Sequence, residues 1–161
     1  MSIKNRKRAE CIGLCKKFKL KNATNISIIV DENILPISIH TISGNTHDSN
    51  TIIDTIKNIN FSLFDKRIKI KLIADKGYIK DDHYKNKLYK NYGIKLITPF
   101  RKNMSKKNSK KEKELLSKRY KVEYTNNLIL NCNRIQTRFD KKINHFNSFI
   151  FITCANMISK I

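Results

Sequence analysis

Residues 68–77 read IKIKLIADKG. The run opens by alternating Ile68 and Ile70 with Lys69 and Lys71, then becomes continuously apolar through Leu72, Ile73 and Ala74. That is the pattern of a strand that enters a sheet from its wet margin and is covered on both faces further in. Asp75 closes the run and Lys76-Gly77 breaks it. Downstream, Asp81/Asp82 supplies a helix start signal, and the helix that follows, about ten residues long, stops near Gly93. Ile94–Thr98 (IKLIT) is the next strand, stopped by Pro99. Strand, helix, strand in this order predicts a parallel pair and an α/β class of fold.

Working outward, Ile26–Asp31 (ISIIVD) and Leu35–Ile42 (LPISIHTI) read as a hairpin around Asp31-Glu32-Asn33, which makes the sheet mixed. Gly44-Asn45 ends it. Asp48 or Ser49 then caps a helix carrying Ile52, Ile53, Ile56 and Ile59. Residues 101–113 (RKNMSKKNSKKEK) are almost all charged or polar and read as a mobile basic loop. Glu114 to Arg134 is helix-competent. A C-terminal helix begins near Lys141 and carries Phe146, Phe149, Ile150, Ile152, Ala155, Met157 and Ile158. Residues 1–23 read as a basic, irregular lead-in, and residues 24–161 as one domain. No apolar run approaches the roughly 18–20 residues of a membrane span. Met1–Arg8 is polar with no apolar segment behind it, so an intracellular location is expected, without a membrane partner.

The chain has 161 residues, with 34 Lys+Arg against 13 Asp+Glu, a net charge of +21. A polyanion is the natural partner of such a surface, nucleic acid ahead of acidic membrane. The same chain holds 27 Lys, 7 Arg, 26 Ile and 19 Asn. Lys, Ile and Asn share AT-rich codons, so part of the charge reflects coding bias, and the scarce Arg residues carry more information than the abundant Lys. Cysteines at 11, 15, 132 and 154 lack the paired spacing of a zinc site. They read as free thiols, with Cys132 and Cys154 as small buried hydrophobes.

In so basic a chain the carboxylates are informative. Asp75 sits at the carboxyl end of a strand, where open α/β sheets bind ligands; capping the turn is its ordinary alternative. Glu123 lies in a helix-competent segment, where pairing with Arg119 one turn back is the ordinary reading. Asp48, after His47, reads as a helix cap. Carboxylates that converge at strand and helix ends are what a two-metal phosphoryl-transfer site requires, because Mg2+ takes oxygen ligands and a pair of ions assists both the attacking and the leaving oxygen.

Four blocks in order give these positions a family context. They are Ile28–Ser49 (IIVDENILPISIHTISGNTHDS), Leu72–Tyr78 (LIADKGY), Gly93–Lys102 (GIKLITPFRK) and Lys118–Lys141 (KRYKVEYTNNLILNCNRIQTRFDK). Together they resemble insertion-sequence transposases of the DDE class, whose catalytic domain has a ribonuclease-H-like mixed sheet flanked by helices. The resemblance implies metal-dependent DNA strand cleavage and transfer, with Mg2+ or Mn2+ as cofactor and double-stranded DNA at transposon ends as partner. It makes Asp75 the second metal-binding Asp, Glu123 the metal-binding Glu, and Arg119 a phosphate contact. It makes His47 and Asp48 site-supporting residues.

The chain also departs from the family pattern. The first catalytic Asp belongs on a strand ahead of the basic lead-in, and no Asp precedes Asp31. The first strand is therefore expected to be missing, leaving a sheet edge unpaired. Leu116 and Leu130 stand where the family signature has Tyr and Lys. Asn126 and Leu128 stand where it has aromatics. Two explanations stay open: decay, or a partner half encoded separately. The corresponding functional readings are a transposase portion that is inactive alone and a non-catalytic DNA-binding remnant or domesticated module. A homodimer is a further partner the resemblance admits. For DNA contact, Arg101, Lys102, Lys106 and Lys107 in the basic loop stand with Arg119, Arg134 and Arg138 on the late helices.

Overall fold

A computed structural model describes residues 1–5, 9–16, 19, 21–61, 69–101, 104–105 and 107–160. The chain divides into two compact units, one made of 1–59 with 121–161, the other of 60–120. Both combine strands and helices, so the α/β class holds.

The first unit is built on β3 (Lys21–Val30), the long first arm of the hairpin. β4 (Pro36–Ser43) returns antiparallel along one edge, with Ile28 opposite Ile39 and a register shift between Ile29 and Val30. The turn between them is organised by Asp31, whose Oδ1 accepts from the backbone N–H groups of Asn33 and Leu35 at 2.8 Å each. Ile34 is held there at φ 71°, a left-handed conformation that β-branched residues avoid. From α4 (Tyr120–Leu130), Lys121 Nζ donates to Glu32 O at 2.6 Å and Thr125 Oγ1 donates to Ile34 O at 2.9 Å.

The lead-in is structured, contrary to the sequence expectation. β1 (Ser2–Asn5) runs antiparallel to β3 along the edge opposite β4, with Ile3 beside Thr24. β2 (Gly13–Cys15) pairs with the start of β3 on the β4 side. β1 thus occupies the edge of β3 opposite β4. The segment was misread because Ile3 is the one apolar side chain in SIKN, too short a pattern to register as a strand. Beyond β1 lies β7 (Thr137–Arg138), parallel to it.

The two faces of this sheet differ. One packs Ile3 and Ile26 against Ile129 of α4, Ile135 of α5 (Asn133–Gln136), and Phe146, Ile150 and Cys154 of α6 (Ile143–Ile158). The other meets α1 (Ile52–Lys57) through a more polar seam, where Thr55 Oγ1 donates to Ser27 Oγ at 2.8 Å and Ser38 Oγ donates to Thr55 O at 2.5 Å. α1 begins later than the cap residues suggested. Asp48–Asn50 forms a short 3-10 helix, in which His47 Nδ1 accepts from Ser49 N at 3.2 Å. Gly44 precedes it with no room for a side chain: a Cβ would lie 2.6 Å from Ala23 O and 2.9 Å from Gly13 O. β4 pairs only with β3 among the described strands. Asn58 Nδ2 donates to Ile39 O at 3.0 Å and the Cys11 thiol to Thr41 O at 3.7 Å.

The second unit carries the predicted parallel pair, β5 (Ile70–Ile73) beside β6 (Ile94–Ile97), joined by α2 (Asp82–Tyr92). Asp81 caps α2 by accepting from Tyr84 N at 2.8 Å, and Gly93 ends it at φ 66°. Of the segment expected as a basic loop, residues 110–113 form the first turn of α3 (Lys110–Ser117). Its start is fixed by a capping box in which Ser109 and Glu112 satisfy each other's backbone N–H.

Candidate active site and nucleic-acid interface

Asp75 follows β5 directly. Ala74 N still bonds Ile97 O at 3.0 Å, so the parallel pairing reaches the residue before the carboxylate. Asp75 then leaves the sheet in extended conformation and caps the 3-10 helix Lys76–Tyr78, its Oδ1 accepting from Lys76 N at 2.6 Å. The same oxygen accepts from Arg119 Nη1 at 3.0 Å. Both side chains are open to solvent, at 58% for Asp75 and 36% for Arg119. The expected capping role and the expected place at a strand's carboxyl end therefore coincide.

Arg119 lies in the two-residue turn between α3 and α4, not inside one continuous helix. Its side chain reaches Asp75, 44 positions away in sequence. Glu123 belongs to the other unit, exposed in the first turn of α4. Among the described residues, no three His, Cys, Asp or Glu side chains gather as a metal-holding group.

The basic residues separate into three kinds. Arg101 and Lys107 are exposed. Directly after Lys107, Asn108 draws the chain back on itself: its Oδ1 accepts from Phe100 N at 3.0 Å and its Nδ2 donates to Thr98 O at 3.1 Å. Lys102 and Lys106 lie outside the described residues. Arg134 is half-exposed and committed on two sides, to Asp140 Oδ1 at 3.0 Å and to the face of Phe149 at 4.6 Å.

Arg138 does not belong on a DNA-contacting surface at all. It is 1% exposed. Its guanidinium donates to Glu10 O and Thr24 Oγ1 at 2.8 Å each, to Asp140 O at 3.0 Å and to Lys141 O at 3.2 Å. It also stands 5.1 Å from the centre of the Phe146 ring. Burial lowers its pKa from the usual arginine value, with Cys11, Asp140 and Glu10 opposing that shift. This one side chain ties the lead-in, β3 and the approach to α6 together. Cys154, on the core side of α6, is a buried thiol whose pKa desolvation raises to about 11. His47 and Ser49 cap one another (Nδ1 to Oγ, 2.9 Å), a structural role for this block; the Asp48 side chain is outside the description.

A family model described as Transposase DDE domain matches residues 10–142. The chain belongs to the transposase DDE domain family. No curated protein and no solved structure matches it. Membership makes this a DNA-acting domain, and members of the family generally use a divalent metal. Among the described residues of the transposase domain, no helix is long and apolar enough to cross a membrane.

Proposed function

We propose that this transposase domain is a ribonuclease-H-like catalytic portion whose site uses Asp75 and Glu123, and that the 161-residue chain by itself grips DNA without cutting it. The observation that carries the reading is Asp75, a solvent-open carboxylate at the carboxyl end of a parallel strand, oriented by Lys76 N–H and Arg119. Carboxylate oxygens are hard donors that suit Mg2+ or Mn2+, so Asp75 and Glu123 are the residues that would hold such an ion. Bound there, the ion would supply Lewis-acid assistance to phosphodiester cleavage and strand transfer.

The chain's own residues do the rest. Arg119 holds the Asp75 carboxylate in place, and its partly exposed guanidinium is the kind of group that contacts a DNA phosphate. Arg101, Lys102, Lys106 and Lys107 add positive charge along the same segment of sequence and hold the sugar-phosphate backbone. His47, bonded to Ser49, steadies the turn after β4, and with Asp48 it forms the block we read as site-supporting. Asp75 and Glu123 make two of the family's three carboxylates. Losing one member of a catalytic set that acts as a unit costs orders of magnitude in rate.

The second reading is a DNA-binding remnant or domesticated module without catalysis. What favours it is the Arg119 guanidinium, bonded to the oxygen that would otherwise ligate a metal. A nicking assay on supercoiled plasmid, with Mg2+ or Mn2+, separates the two. The chain alone is expected to bind and not nick. Adding in trans a peptide with the family's first Asp-bearing strand should restore nicking that Asp75→Ala abolishes. Restoration supports a split enzyme, its absence supports the remnant, and nicking by the chain alone overturns the proposed inactivity. Double-stranded DNA binding should weaken steeply with salt; binding indifferent to salt would contradict a phosphate-gripping surface.

A further inference from the structure

Asp75 and Arg119 meet inside one unit, residues 60–120. Asp75 Oδ1 carries two bonds of different kinds. The one from Lys76 N, at 2.6 Å, is local and sets the cap of the 3-10 helix Lys76–Tyr78. The one from Arg119 Nη1, at 3.0 Å, joins positions 44 apart. Both of its ends are open to water, and neither residue belongs to the buried core. Opening it leaves Asp75 Oδ1 with its backbone donor and strands no buried group. On the arginine side the main chain is anchored, since Arg119 N bonds Leu116 O at 3.3 Å in the turn between α3 and α4. A long side chain on a fixed turn can change partner without any element moving.

Chemistry names the second partner. A guanidinium fork fits carboxylate and phosphate oxygens alike. An exposed ion pair is weak, shifting an equilibrium by about fivefold or less, so a phosphate competes with it readily. Cations of the same unit stand exposed to bring one in: Lys76 beside Asp75, with Arg101 and Lys107. The Asp75 carboxylate is itself repelled by an arriving phosphate, which favours opening of the pair. We propose that Asp75 is an internal stand-in for DNA phosphate: it holds Arg119 in the free chain, and DNA takes the guanidinium over. The contact is autoinhibitory toward DNA, and its opening frees the Asp75 oxygen when DNA is present. Whatever takes that oxygen in place of Arg119 favours DNA, and DNA favours it by the same factor. The inference rests on the DNA-gripping reading above and on neither carboxylate holding a metal.

Binding of a short labelled duplex by the whole chain in EDTA, followed by fluorescence anisotropy, tests it in a double-mutant cycle. Asp75→Asn keeps the side chain's shape and removes its charge. It should tighten binding about fivefold in the wild-type background and by no more than about twofold beside Arg119→Gln, where only the lost repulsion remains. Salt dependence is the second readout. Asp75→Asn should leave the slope unchanged, since the same phosphates are contacted, whereas Arg119→Gln should lower it by about one. On the unaltered chain, the Asp75 carboxyl carbon should shift in the nuclear magnetic resonance spectrum as duplex is added. That measurement keeps the proposal decidable if the variant at position 75 fails to fold. Equal gains in both backgrounds, weaker binding by Asp75→Asn, or a carboxyl resonance that duplex leaves in place would each overturn the exchange while the DNA-gripping reading stands. A chain that binds no duplex at low salt overturns both.

Discussion

Replacing Arg138 by Met keeps much of the side chain's length and removes all of its donors. The guanidinium now serves four acceptors. Two of them retain other partners: Thr24 Oγ1 still accepts from Asn5 Nδ2 at 2.6 Å, and Lys141 O still accepts from Glu10 N at 2.8 Å. The carbonyls of Glu10 and Asp140 lose the donor each receives from Arg138. A buried acceptor left without a partner costs about 1–3 kcal/mol, so the two together cost about 2–6 kcal/mol. Part of this is returned, because Arg138 itself is held against a desolvation penalty, and apolar replacement of a buried ion can be close to neutral. A net loss of about 2–4 kcal/mol is expected, against a total of about 5–15 kcal/mol for a typical domain. In a chain of this size that is a fall of roughly 5–15 °C in Tm. Urea unfolding followed by circular dichroism measures the loss, and DNA affinity against salt measures the alternative. A structural Arg138 leaves the salt slope unchanged for the folded variant; a phosphate contact lowers it by about one. Wild-type stability combined with a shallower slope would refute the reasoning.

Asp75→Ala should behave in the opposite way. The Asp75–Arg119 pair is solvent-open, and exposed pairs contribute about 0–1 kcal/mol, so Tm should barely move while any trans-complemented nicking disappears. Gly44→Ala should destabilise by about 1–3 kcal/mol in chemical denaturation, because the new methyl meets the backbone oxygens of Ala23 and Gly13 at 2.6 and 2.9 Å and neither can swing away. Cys154 links stability to pH. Its thiol is raised from 9.0 to about 11 in the folded chain, so its contribution is intact below pH 9 and is lost as pH climbs through 11. Roughly 2–3 kcal/mol should go over that window, and Cys154→Ala should flatten that part of the pH–stability curve.

The parallel pair and its crossing helix were legible because every local signal agreed: the apolar run closing on Asp75, the Asp81 cap, and Gly93 at the helix end. The hairpin was legible from alternation around Asp31. What escaped was structure held by single polar side chains and not by apolar periodicity. β1 shows one apolar residue and is held by pairing with β3, which no local pattern encodes. Asn108, clamping 98–100, looks like one more polar residue in a basic loop. Arg138 was misjudged because a surface and a buried arginine look alike in sequence. The nearby hint was the alternation of Thr137, Arg138 and Phe139, which puts Arg138 alone on one face of a strand. At the site, Asp75 and Arg119 were both singled out, but their partnership was not, since 44 positions separate them.

The outer carbonyls of β4 have a consequence for handling the protein. Ile39 O and Thr41 O would otherwise be free to template a foreign strand, the first step toward fibrils. Asn58 and Cys11 blunt them. One of these two guards is a thiol, and a thiol can be alkylated or oxidised. Storage under oxidising conditions would strip half of that protection while leaving the core untouched, so the shelf life of the preparation is tied to the chemical state of Cys11 more than to the melting temperature of the fold.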